Sequence, residues 1–212
     1  MRPPSKTALF VAAKRWDAAA INAIVAAAPA LIDASGPKGR TALHIACAVK
    51  PGGALGEPNG IDTVTVLLEA GADLERAVPM AEDEGEFRAT PLWYAVSRGE
   101  NLPLVRFLLG RGADASHSLW AAVWRDDPVL CRELLNANPR LNLRAHGETP
   151  IFYAARLKRL KTLDLLIAAG ADPTVPDPQG RDAEAIARAR SLPKENHQPI
   201  GGADARHVAC RH

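Results

Sequence analysis

Five phrases of one pattern recur along this chain: TALFVA from Thr7, TALHIA from Thr41, TPLWYA from Thr90, HSLWAA from His117 and TPIFYA from Thr149. A second phrase follows in three of the units, LLEAGAD ending at Asp73, LLGRGAD ending at Asp114 and LIAAGAD ending at Asp172. Thr7 to Thr41 is 34 residues and His117 to Thr149 is 32, so the repeating unit is close to 33 residues long. A unit this short cannot close a core of its own. Each must bury its apolar face against the next, and a self-similar period of this size signals a stack of helix pairs held by nearest-neighbour contacts. Function is therefore sought on the surface of a repeat array.

Local chemistry within the phrases agrees. A Thr at the head of a phrase offers its hydroxyl to the exposed N–H groups of a first helical turn, and Pro91 and Pro150 stand next to it, where no donor is required. On this reading the first helix opens at Thr7. Leu9, Leu43, Leu92, Leu119 and Ile151 share one register and predict the layer between units, while Ala12, Ala13, Ala46, Ala95, Ala122 and Ala154 let neighbouring helices come close. The second helices carry apolar residues at helical spacing, as in Val64, Leu67 and Leu68, or Leu104, Phe107 and Leu108, or Leu163, Leu166 and Ile167. Gly71, Gly112 and Gly170 then stop them. A content of 47% apolar but only 5% aromatic residues suits an alanine-rich helical stack.

The phrases resemble the ankyrin repeat family, over roughly residues 5 to 190. Thr41-Ala42-Leu43-His44-Ile45-Ala46 carries the likeness most fully, with Gly39 two residues before it, as the family's finger turn expects. The resemblance implies an all-α ankyrin-repeat solenoid of about five helix pairs plus a partial C-terminal capping repeat. One domain would span 1–192, with repeats at about 5–36, 37–75, 76–115, 116–143, 144–175 and a partial unit at 176–192. It implies a structural histidine at His44 bonded to loop backbone, and protein binding without catalysis. Gly180 to Arg188 keeps a first helix but exchanges its apolar face for charge, as a polar cap over the stack would. Beyond Leu192 the pattern gives way to Pro193, Pro199, Gly201 and Gly202, so 193–212 is expected to be a disordered tail.

Candidate binding residues follow from the end of each first helix, which by the resemblance lines a concave face. Arg15, Lys50, Arg98, Arg125, Arg156 and Lys158 fall there, joined by Lys14 and Arg159, although the whole chain carries a formal charge of only +2. Cations at helix C-termini are favoured by the helix dipole anywhere, by about 0.3–1 kcal/mol. As a continuous stripe they would also steer an acidic protein partner. Trp16 and Trp124 stand on or beside the stripe and are read as anchors, Trp and Arg being the residues on which interfaces most often depend. Trp93 and Trp120, inside the phrases, are read as packing residues. Asp73, Asp114 and Asp172 are read as turn caps.

Three irregularities stand out. Lys50 to Gly60 is a Pro/Gly insertion between the helices of the second unit, the finger from Val78 to Ala89 is long and holds Glu82-Asp83-Glu84-Gly85-Glu86, and the finger before His117 is nearly absent. The fourth unit is therefore expected to be the loosest junction.

Other functions find little support. The chain has no Gly-x-Ser-x-Gly, no phosphate-cradling glycine loop and no His-Glu-x-x-His, so no catalytic residue and no cofactor is assigned. His207, Cys210 and His212 are metal-ligand types in a tail, a weak pattern, and no metal is assigned. Nucleic acid would meet the acidic finger as well as the cations. Cys47, Cys131 and Cys210 form no disulfide framework, and no run of about 18 apolar residues occurs. The expectation is a cytoplasmic monomer, away from membranes, that inhibits or neutralises one acidic protein through its groove and fingers. A toxin immunity protein is the specific case, and a secreted effector acting on host proteins or a nucleic-acid binder are the alternatives. Because loop length costs little, removing Pro51 to Pro58 should leave far-UV helicity and the unfolding midpoint nearly unchanged. A collapse of the circular dichroism signal would make that insertion part of the core.

Overall fold

The computed structural model describes residues 3–52, 58–79 and 87–192. Its helices form five successive pairs: α1 (Lys6–Arg15) with α2 (Ala18–Ala27), α3 (Ala42–Cys47) with α4 (Ile61–Glu69), α5 (Pro91–Tyr94) with α6 (Leu102–Gly110), α7 (Leu119–Arg125) with α8 (Pro128–Asn136), and α9 (Pro150–Leu157) with α10 (Leu160–Ala168). A single helix, α11 (Ala183–Ala189), closes the array against α9. The first helices pack in one layer, α1 on α3 on α5, then α7 on α9 on α11, and the second helices pack in another, α2 through α4, α6 and α8 to α10. Leu9, Leu43, Leu92, Leu119 and Ile151 are all buried between neighbours, as their register requires. The architecture is the expected all-α solenoid of five helix pairs and a partial closing unit.

Caps set where the helices begin. Thr90 Oγ1 accepts from Trp93 N at 3.3 Å and Thr149 Oγ1 from Phe152 N at 3.4 Å, each ahead of a proline in the first turn. The first unit departs from expectation. Its cap is Ser5, extended after Pro4, whose hydroxyl accepts from Ala8 N at 3.2 Å, so Thr7 lies inside α1. Ser caps as well as Thr and comes two residues earlier, so the helix starts sooner. Asp73, Asp114 and Asp172 do cap turns, each accepting from the backbone N–H two residues on, at 2.9, 2.8 and 2.8 Å.

Trp16 requires a correction. It ends α1 in the left-handed region at φ 53°, is only 1% exposed, and donates its Nε1–H to the Ala46 carbonyl at 2.9 Å. It is a core residue joining the first two units, not a surface anchor. Glu100, Asp126 and Lys158 take the same left-handed turn after the first helices of units three to five, with φ of 49°, 50° and 56°. Unit two differs: Ala48 stays right-handed at φ −80°, and Gly60, just before α4, has a positive φ of 73°. Only glycine serves at Gly60, since a Cβ there would lie 2.5 Å from Trp16 Cε2.

The long finger is a short hairpin. β1 (Val78–Pro79) pairs antiparallel with β2 (Arg88–Ala89), Val78 opposite Ala89. The acidic cluster at 82–86 lies outside the described residues, as do much of the insertion and the tail. The missing fourth finger is replaced by a single 3₁₀ turn, Ser116–Ser118, and by side-chain bonds. Ser116 Oγ donates to Asp114 Oδ1 and accepts from Arg140 N at 3.0 Å, and Arg140 Nη2 reaches Asp114 Oδ2 at 3.1 Å. Asp114 N in turn donates to Glu75 Oε1 at 2.9 Å, so polar contacts bridge the junction where a finger is lacking.

His44 ties unit two to the finger after it. Its Nδ1 accepts from Thr41 N at 3.3 Å, and its Nε2 faces the Arg76 carbonyl at 2.8 Å, so Nε2 carries the proton and the ring is neutral. Burial, the largest influence, pulls its pKa down from 6.5 to about 4. Between those values the unfolded chain binds more protons than the folded one. The neutral ring's stabilisation is thus fully present above pH 6.5 and lost as pH falls towards 4, at a cost of about 3 kcal/mol. Urea titrations across pH 4 to 7 should show that loss in the wild type and a flatter profile in His44→Gln; parallel profiles would refute it.

Candidate functional site

One cavity opens on the layer of first helices, at the third, fourth and fifth units, with a volume near 710 Å³. The base of the hairpin supplies Phe87. Trp93 comes from α5, and Ser97 and Arg98 from the π-turn, Ala95–Gly99, that extends it. This turn presses on unit two: a Cβ at Gly99 would lie 2.4 Å from the Cys47 carbonyl oxygen, so unit three docks backbone to backbone. Trp120, Ala121 and Trp124 come from α7, Ala145, His146 and Glu148 from the fifth finger, and Tyr153 and Arg156 from α9.

The rings converge on Phe87. Trp93, His117 and Trp120 meet it edge to face at 5.7, 5.8 and 6.1 Å, and His146 stacks on it at 6.1 Å and 19°. Trp93 and Trp120 are buried, as packing residues should be, and they also form the cavity's wall. Trp124, by contrast, is 57% exposed at its mouth. Among the described residues, Trp120 Nε1 and Ser97 Oγ are buried in this lining with no hydrogen-bond partner.

Electrostatics divide the expected stripe. Glu100 accepts an ion pair from Lys50 and another from Arg125, the latter at 2.7 Å, which hold its carboxyl below the usual range. Arg156 donates through Nη2 to Glu148 Oε2 at 2.9 Å and lies 5.1 Å from the Tyr153 ring centre. Arg98 is exposed and pairs with no carboxylate among the described residues. The cations therefore do not form a continuous unpaired row: Lys50 and Arg125 clamp units two and four onto Glu100 of unit three. Arg15 and Lys158 are exposed at the ends of α1 and α9, outside the cavity lining.

Of the eight residues expected to bind, the cavity gathers Arg98, Trp124 and Arg156. The expectation did not include Phe87, Trp93, Trp120, His146, Glu148 or Tyr153. A signal was present in the composition. The chain has four Trp, two Tyr and four Phe, and five of those ten, Phe87, Trp93, Trp120, Trp124 and Tyr153, line this one cavity. The two described thiols, Cys47 and Cys131, are buried, and burial raises both, Cys131 to about 12, which keeps them protonated and unreactive. Among the described residues no cluster of His, Cys, Asp and Glu suits a metal ion, and no helix is long and apolar enough to cross a membrane.

The ankyrin repeat family, as three consecutive copies, matches residues 58–177, and a single ankyrin repeat matches 38–77. The chain belongs to the ankyrin repeat family. Among solved structures, an ankyrin repeat domain from Acinetobacter baumannii is 27% identical, with a TM-score of 0.69 over 91% of this chain and 95% of that one. The ankyrin repeat domain of Bcl-3, a member of the IkappaB protein family, is 20% identical, with a TM-score of 0.58 over 86% and 94%. A chain in the complex of a predatory endopeptidase from Bdellovibrio bacteriovorus with an immunity protein is 24% identical, with a TM-score of 0.62 over 87% and 92%. No curated protein matches the sequence.

The two outlying tryptophans should behave oppositely. Trp16→Ala should cost about 3–5 kcal/mol of stability by opening a core cavity, whereas Trp124→Ala should change it by no more than about 0.5 kcal/mol. Chemical denaturation of the two variants side by side checks this, and equal effects would contradict the assignment.

Proposed function

We propose that this ankyrin repeat protein is a non-enzymatic binding module that holds one protein partner over the cavity of units three to five. The observation that carries the reading is the convergence of five of its ten Phe, Trp and Tyr residues, with Arg98 paired to no described carboxylate, in a concave site walled by the stack. Interfaces depend on such Trp, Tyr and Arg anchors set in desolvated pockets. A preformed surface loses little conformational freedom on binding, so few anchors suffice for high affinity. The finer reading is that the partner is neutralised by occlusion, as an inhibitor or immunity protein acts. The shared fold with a chain from an endopeptidase–immunity protein complex is a precedent for that role.

The ion pairs dictate the choice of test. Reversing Arg125 or Arg156 would set a carboxylate against Glu100 or Glu148 and disturb the stack itself. Arg98→Glu combined with Trp124→Ala avoids both. Immobilised wild-type chain should retain a protein from the native lysate, and the double variant should lose at least about tenfold in affinity for it with an unchanged circular dichroism spectrum. Equal retention would refute the groove. A partner released by nuclease alone would mean that nucleic acid is what binds.

A further inference from the structure

Resting on that reading, we propose that the cavity accepts from its partner one bulky apolar side chain flanked by a carboxylate, the side chain lodged among Phe87, Trp93 and Trp120 and the carboxylate held by Arg98. A space of about 710 Å³ is of the size that small ligands and short peptide segments occupy, and its aromatic walls favour an apolar group. Aromatic faces alone would equally attract a cation. Here that role is already filled from within, because Arg156 lies over the Tyr153 ring and Arg98 stands in the same wall.

Among the described residues, one guanidinium of the lining is left without a carboxylate. Glu148 compensates Arg156, and no described carboxylate compensates Arg98. Among the described residues, Trp120, 6% exposed, has no acceptor for its Nε1–H, and Ser97 Oγ of the same lining has no partner either. Buried donors are rarely left so in a protein at rest, since each costs the solvation it has lost. A carboxylate or carbonyl oxygen entering beside an apolar group would satisfy them together with Arg98. A nucleotide strand fits less well: it carries a charge at every residue, and the adjacent cations Lys50 and Arg125 are already committed to Glu100.

The test uses the full chain labelled with ¹⁵N and follows the Trp120 indole resonance, assigned through Trp120→Phe. The probes are N-acetylphenylalanine, its amide N-acetylphenylalaninamide, and adenosine monophosphate. The free acid should shift the resonance saturably in the millimolar range, with the amide weaker by about tenfold and Arg98→Gln removing the difference between them. Equal binding of acid and amide would overturn the proposal, and so would saturation by the nucleotide at lower concentration. Binding of the acid only after residues 81–86 are replaced by Gly-Ser would also overturn it, since the chain's own acidic finger would then be the occupant. If the acid fails while Arg98→Glu with Trp124→Ala still releases the captured partner, this chemistry falls and the groove stands. If the acid binds as expected but that variant keeps its partner, the groove reading falls, and with it a protein source for the carboxylate.

Discussion

Every helix pair in this chain leaves one side bare until a neighbour covers it, and the rest of the structure depends on that dependence between neighbours. Leu9, Leu43, Leu92, Leu119 and Ile151 are buried only because the next unit stands against them. Small residues set how near the units come: alanines line the first-helix layer, and Gly99 lets unit three touch the backbone of unit two. His44 and Trp16 add directional bonds across the same boundaries, each to a carbonyl some thirty residues away. Stability in such an array is a sum of neighbour terms. A fault at one boundary is therefore felt mainly by the two units that share it.

The cavity arises where that regularity lapses. A finger is missing before α7 and an extended one precedes α5, so Phe87 at the hairpin base leans over His117 and Trp120 of the unit that lacks its own. Aromatic side chains from three successive units then meet in one space. Packing between the units holds these side chains in place. The polar bridge through Asp114, Ser116 and Arg140 keeps the lapse from becoming a gap.

Charge follows the same division between structure and surface. Glu100, in the left-handed turn after the third unit's first helix, draws in Lys50 from one neighbour and Arg125 from the other. Exposed pairs of this kind contribute little individually, typically 0–1 kcal/mol. They also commit two cations of the expected stripe to joining units two, three and four.

The residues alone determined the period, the helix pairs, the glycine stops, the aspartate turn caps and the polar closing helix. All of these rest on interactions within a few residues or on a pattern repeated from unit to unit, whereas the role of His44 came from the family resemblance, its bond to the Arg76 carbonyl spanning 32 residues. They could not show that Trp16 faces inward: it follows a helix at the same position as Glu100, Asp126 and Lys158, and only contact with Gly60 and the Ala46 carbonyl, 44 and 30 residues on, buries it. Nor could they show that Lys50 and Arg125 share one carboxylate, or that Phe87, Trp120 and Tyr153 line one space. Stacking decides which side chains from separate units come to face one another, because those contacts are made between residues far apart in sequence.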